Sequence, residues 1–303
     1  MQVMVNAEKV TVASPNTAPN RGRIRCRQIA DGDLDALVDL LERGFARRRT
    51  RAFWQRALAC LRTREVPSGM PRYGYLLEND GAPVGVILLI FATTPGTDMP
   101  RANVSSWYVE PAFRSYAPLL VSQALKLKQV TYLNISAARH TWPIVEAQGY
   151  KRYSSGIIVA APALQRSHER VRLLAADETP DVPHAPFARD LMSAHVGFGC
   201  IAVWGVTAER ALPFVFRPRI VKGLLPCAQL VYCDDVAAFV CFAGPLGRFL
   251  ARRALPFVIL DANGPVAGLA GKYFADTTPK YFRGPVAPRL GDLAYTEAAL
   301  FGI

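Results

Sequence analysis

Apolar positions along the first half of the chain change their period several times, and each change predicts an element. Residues 24–29 read as a short strand. Leu34, Leu37, Val38, Leu40, Leu41 and Phe45 then recur every three to four residues, the spacing of one helix face. Asp31 or Asp33 stands where a helix cap belongs. A second helix is predicted over residues 52–61. Two apolar runs, 73–77 and 84–91, flank an Asp80-Gly81 pair, which is a hairpin signature. A strand over 103–109, a helix over 117–129, a strand over 130–135, a helix over 140–148 ended by Gly149, and a strand over 153–160 complete this half.

Residues 165–187 have the composition of a linker, with Pro180, Pro183 and Pro186 among charged positions. Residues 188–303 read as a worn copy of the first half. A strand at 228–233, a helix opening near Pro245 and a strand at 256–260 echo residues 105–108, 116–126 and 130–135, with Pro245 in the place of Pro118. Residues 200–204 and 213–217 pair as a hairpin, and 272–274 and 293–301 are expected to close a sheet. An unrelated small α/β domain is the alternative. The fold class is therefore α/β, of the α+β kind with a mixed sheet. Its expected layout is a polar tail 1–23, a domain 24–164, a linker 165–187 and a second domain 188–303.

Composition changes the picture in two respects. With 303 residues, 51% of them hydrophobic, the chain can bury two cores at roughly 100–200 residues per domain. No apolar run approaches the ~20 residues of a membrane-spanning helix, and the first twenty residues lack the apolar region of a secretory signal. A cytoplasmic protein is expected. The six cysteines form no C-x-x-C pair and have no His at ligand spacing, so no metal and no disulfide framework is expected. Net charge is +12, most of it in residues 1–165, with the densest cluster at Arg43, Arg47, Arg48, Arg49 and Arg51. No nucleic-acid module accompanies this charge, whereas a nucleotide-bearing cofactor, an acidic carrier protein or an anionic surface would each suit it, as would a solvated helix face.

The run Trp107-Tyr108-Val109-Glu110-Pro111-Ala112-Phe113-Arg114-Ser115-Tyr116-Ala117-Pro118 passes from strand to turn to helix. Free N–H groups and the macrodipole make such a helix start attractive to phosphate, and Pro118 suits the first turn. The spacing Val109-x-Pro111-x-x-Arg114 before a helix resembles the acyl-CoA motif of the GNAT superfamily of N-acyltransferases. The element order over residues 24–164 and the Gly149-Tyr150 pair are also similar to that family. Members follow the Arg with x-x-Gly-x-Gly/Ala; here Ala117 and Leu119 occupy the two small positions.

The resemblance implies acyl transfer from CoA or acyl-CoA, used as co-substrate, to a small-molecule or peptide amine by direct attack on the thioester. It implies that Trp107, Tyr108 and Val109 hold the acyl carbonyl and that Arg114 with the N–H groups of Ser115, Tyr116 and Ala117 clamps the pyrophosphate. Glu110 is the nearest carboxylate for a general base. The tyrosine acid of many members is replaced by Val145, which leaves Tyr132 and His140 as candidates to protonate the thiolate. Two other readings stay open. One is a non-catalytic ligand- or partner-binding module; the other is transfer from an acidic acyl carrier protein, with the Arg43–Arg64 region facing the carrier.

Overall fold

The computed structural model describes residues 22–46, 49–166, 171–221 and 223–302. Most of the polar tail, Arg47 and Arg48 of the basic cluster, and part of the predicted linker fall outside these residues.

The first half runs β1 (Ile24–Gln28), α1 (Leu34–Phe45), α2 (Arg51–Thr63), β2 (Gly74–Asn79), β3 (Ala82–Thr93) and β4 (Pro100–Val109). A 3-10 turn at Pro111–Tyr116 then enters α3 (Ala117–Ala124), followed by β5 (Thr131–Asn134), α4 (Trp142–Ala147) and β6 (Lys151–Ala160). The second half runs β7 (Arg172–Ala175), α5 (Ala188–Gly197), β8 (Ile201–Val206), β9 (Ala211–Val221), β10 (Leu225–Tyr232), α6 (Val236–Ala251), β11 (Phe257–Ala262), β12 (Gly271–Arg283) and α7 (Glu297–Leu300). Local chemistry accounts for many boundaries. Thr50 Oγ1 accepts the Phe53 N–H at 3.3 Å and starts α2. Asp80 and Gly81 both take positive φ, 48° and 86°, the turn that matches the twist of the β2–β3 hairpin.

Among the described residues all twelve strands share one mixed sheet, in the order β1-β2-β3-β4-β5-β12-β6-β11-β10-β9-β8-β7. Two pairs are parallel, β4 with β5 and β10 with β11, and the other pairings are antiparallel. Read outward from the central β12–β6 pair, the order of the first half is mirrored by that of the second. The halves also exchange strands at the centre. β12, from the second half, lies against β5, while β6, from the first, lies against β11. The predicted linker contributes the edge strand β7, whose Arg172–Ala175 pairs with β8.

Three cores flank this sheet. One face is covered by α1, α2 and α5, whose Leu40, Leu41, Trp54, Leu191 and Met192 join Trp204 and Leu293 in a core that spans both halves. On the other face the halves are covered separately, the first by α3 and α4 and the second by α6.

Two expectations are corrected. Residues 293–301 form no strand; they make a turn and α7, packed on the core shared by both halves. Nor does Pro245 open a helix, because α6 starts at Val236, leaving Pro245 in its interior. The starting signal is Asp235, whose carboxylate accepts the Ala238 N–H at 2.6 Å.

Candidate functional site

The parallel β4–β5 ladder pairs only Arg101–Asn103 with Thr131–Leu133. Past that point β5 ends at Asn134 while β4 continues to Val109 along β3 alone, so the two strands diverge into an open V. The β3–β4 register slips at the same place, between Leu88↔Ser105 and Val86↔Tyr108. Ser106 there takes a φ of 47°, an unfavourable backbone for a residue with a side chain. The bulge turns this stretch of β4 away from regular pairing, the usual effect of an extra residue in one strand.

The V opens on a cavity of about 580 Å³. Its walls are the last turn of α1 at Arg43–Ala46, β4 from Val104 to Trp107, the chain leaving β5 at Asn134 and Ser136, and His140, Thr141 and Val145 around α4. α1 approaches β4 closely because residue 44 is glycine: a Cβ there would lie 2.5 Å from the Tyr108 ring. Trp107, also on this wall, packs against the α3-side core, and its buried Nε1 has no hydrogen-bond partner among the described residues.

Beneath the V lies Glu297, delivered by α7 from the far end of the chain and almost wholly buried. Its Oε2 accepts from Ser105 Oγ, its Oε1 accepts from Ser136 Oγ at 2.5 Å, and its N–H donates to Asn103 Oδ1 at 2.7 Å. Asn103, at the last paired position, also donates from Nδ2 to the carbonyls of Val104 and Leu133 at 3.2 and 3.3 Å, tying both strands to α7 at the crotch of the V. Burial raises the Glu297 carboxyl above its ordinary value, against the opposing hydrogen bonds of Ser105 and Ser136 and the charges of Arg49 and Lys280.

Among the residues singled out from sequence, Trp107 and His140 line the cavity. Glu110 stands beside it with its carboxylate held by Arg43 at 2.8 Å, so it joins the end of β4 to α1. Tyr108 packs on Phe45 with ring centroids 6.1 Å apart, and Val109 is buried. Tyr132 is not on this wall. Its side chain lies in the α3-side core, the hydroxyl accepts the Leu127 N–H at 3.2 Å, and burial pushes its pKa up to about 12. Arg114 and Ser115 are exposed on the 3-10 turn, and Tyr116 ends it. The Ala117 N–H donates to Arg114 O, and the Phe113 N–H to Glu110 O at 2.9 Å. One donor of the predicted phosphate clamp, the Ala117 N–H, thus already has a partner within the turn, as does the neighbouring Phe113 N–H. Glu297 and Asn103 were missed by sequence reasoning, and the Ser105-Ser106 pair was visible without a companion.

The second half repeats the parallel ladder but not the opening. β10 pairs with β11 over Cys227–Gln229. Beyond it, the same edge of β10 is taken by the chain itself: the Cys233 N–H donates to Gly291 O at 2.9 Å and the Leu293 N–H to Val231 O at 2.7 Å. The start of α6 is likewise closed to an anion by the Asp235 cap.

A large mixed sheet whose fourth and fifth strands part over a bulge, with helices on both faces, has counterparts among solved structures. A putative acetyltransferase from Pyrococcus horikoshii superposes with a TM-score of 0.53 at 12% identity, over 95% of this chain and 96% of that one. A GCN5-related N-acetyltransferase from Kribbella flavida gives 0.52 at 15% identity, over 87% and 71%. One from Anabaena variabilis gives 0.51 at 11%, over 86% and 72%. The chain has the fold of the GCN5-related N-acetyltransferases. No family model matches its sequence, and no curated protein matches it either. Among the described residues no helix is long and apolar enough to cross a membrane.

Proposed function

We propose that the cleft between β4 and β5 is the acyl-transfer site of an acyltransferase that moves an acyl group from a CoA thioester to an amine. The observation that carries this reading is the V-shaped opening at the Ser106 bulge, which leads into a cavity large enough for a pantetheine arm. Past the bulge, β4 gives the thioester carbonyl a backbone wall. The amine attacks the carbonyl carbon, the C–S bond breaks, and His140 on the cavity wall gives a proton to the departing thiolate. Glu110 acts through its ion pair with Arg43, keeping α1 against the end of β4.

Residues 24–164 are the catalytic half in this reading, 165–187 the connection, and 188–303 a repeat of the same fold that has lost its own cleft. The mirrored strand order supports the repeat; the filled edge of β10 and the Asp235 cap support the loss.

A second donor is favoured by one observation. The 3-10 turn at Pro111–Tyr116 uses the Phe113 and Ala117 N–H groups internally, and Leu119 stands exposed beside it, which suits a pantetheine arm borne by an acidic carrier protein better than a free nucleotide. Calorimetry with CoA, and with an acylated carrier protein, separates the two. Binding of CoA weakened by Trp107→Ala and Arg114→Ala supports the CoA reading, with a loss of about 1.5–3 kcal/mol for the arginine if it meets phosphate. Binding of the acylated carrier alone supports the second. Affinity for neither, at millimolar concentrations, defeats the acyltransferase reading.

A further inference from the structure

Attack on a thioester needs a neutral amine, and an amine arrives at neutral pH as an ammonium ion. Among the described residues walling the cavity there is no Asp or Glu. Three serines are there instead: Ser105, Ser106 and the exposed Ser136. They are connected. Ser106 Oγ lies 3.1 Å from Ser105 Oγ, Ser105 Oγ donates to Glu297 Oε2, and Ser136 Oγ donates to Glu297 Oε1 at 2.5 Å. Every hydroxyl that reaches Glu297 therefore points its proton at the carboxylate and offers its lone pairs toward the cavity, the polarity that a proton leaving the cavity requires.

We propose that Glu297, brought from the far end of the chain beneath the β4–β5 opening, receives the proton of the acceptor ammonium through Ser106–Ser105 or through Ser136. This rests on the acyl-transfer reading of the cleft. The ammonium N–H proton passes to a serine oxygen as that serine's own proton passes on, and Glu297 becomes the neutral acid. The freed nitrogen lone pair forms the C–N bond, the C–S bond breaks, His140 gives its proton to the thiolate, and the second nitrogen proton replaces the one His140 gave. Glu297 returns its proton to solvent through Ser136. Donor thioester and ammonium thus become amide, thiol and one released proton, with no further reactant. The serines touch the amine, and Glu297 acts through them.

Placement supports this assignment over a purely structural one. A carboxylate that only braced α7 would need no contact with cavity-lining hydroxyls, since its backbone N–H already anchors the helix to Asn103. Its surroundings raise its affinity for a proton: burial works against the carboxylate, while Ser105, Ser136, Arg49 and Lys280, itself 2.7 Å from Asp261, work for it.

The test is acetyl-CoA turnover by the full chain, read as thiol release, with ethanolamine, spermidine, glucosamine and a short peptide as amines, across pH 5.5–9.5. Glu297→Gln is expected to lower kcat by about a hundredfold to ten-thousandfold at pH 7 while the KM for acetyl-CoA stays within a few fold. Its rate should climb about tenfold per pH unit as hydroxide and free amine take over the deprotonation. Glu297→Asp should restore part of the loss, and Ser105→Ala with Ser136→Ala should reproduce the Glu297→Gln profile. If Glu297→Gln does not fold, the serine double variant decides alone. A variant that keeps the wild-type pH profile overturns the proposal, whatever its kcat. A wild type that binds neither CoA nor the acylated carrier protein, or that binds one of them and releases no thiol from its acyl form with any of these amines, overturns the acyl-transfer reading and this proposal with it.

Discussion

Arg101 on β4 and Asp292 in the C-terminal segment, 191 positions apart, meet in a two-pronged ion pair of 2.8 and 3.0 Å with both side chains buried. Arg101 also donates to Ala294 O. Burial works to raise the Asp292 carboxyl, but the charge and hydrogen bonds of Arg101, with Arg289 behind them, hold it below its usual value. Removing one partner strands the other in a dry site, so Arg101→Met is expected to cost about 3–5 kcal/mol in urea unfolding. Arg101→Met with Asp292→Leu should cost less than the single change. Equal or greater loss in the double variant would sink the idea that the stranded charge is the penalty.

His195 on α5 is fully buried, with Nδ1 2.7 Å from Leu191 O and Nε2 accepting the Tyr295 N–H at 3.1 Å. Burial chiefly, aided by the Arg101 charge, lowers its pKa from 6.5 to about 4. The unfolded chain therefore takes up a proton that the folded one refuses. This contribution to stability is complete above pH about 6.5 and is lost as pH falls toward about 4, amounting to roughly 3 kcal/mol. Subtracting His195→Gln from the wild type in denaturant titrations between pH 4 and 8 isolates this slope from the buried carboxylates. A flat difference across that window would refute the assignment.

Alanine is the better helix former than glycine by about 1 kcal/mol, so Gly44→Ala in α1 should stabilise a helix that stood alone. Here the added methyl meets the Tyr108 ring, and overpacking of this sort costs about 1–3 kcal/mol. A net loss of stability and a weaker ligand response are expected, because Gly44 also walls the cavity. In a Tyr108→Ala background the same change should become neutral or stabilising. Stabilisation in the wild-type background would show that α1 does not press on Tyr108.

Tyr132 and His140 are equivalent candidates in the sequence and opposites in space. Tyr132→Phe should leave thiol release unchanged and cost about 1 kcal/mol for the lost bond to the Leu127 N–H. His140→Ala, on the cavity wall, is expected to slow thiol release by about a hundredfold or more at neutral pH, with little effect on unfolding. The reverse ranking would place the acid on the wrong face of the sheet.

The pairing of elements along the first half was legible because its signals are local: the amphipathic stripe of α1, the Asp80-Gly81 turn, and the strand–turn–helix around Pro111 and Pro118. The same local signals marked β10 and β11. What the sequence could not convey was which strands meet. Nothing near Tyr281 tells that β12 leaves its own half to lie against β5, since that choice depends on the free edge of a strand about 150 residues earlier. Residues 293–301 look like a strand because they are apolar, yet the surface waiting for them is a helix-lined core rather than a sheet edge. Glu297 carried no signal at all. A single carboxylate becomes significant only when the fold sets it under Ser105 and Ser136, from parts of the chain about 190 and 160 residues away.

The central exchange of strands also fixes when the β4–β5 cleft is completed during synthesis. A ribosome that has delivered residues 22–164 has released β5 with an unpaired edge and a cleft with no carboxylate below it. That edge stays open until β12 emerges some 110 residues later, and exposed strand edges of this kind invite pairing with other chains. Glu297 follows only after β12. A copy that stops before β12 therefore has no sheet closure and no carboxylate beneath the cleft, and its open edge is the part most exposed to pairing with other chains and to proteases.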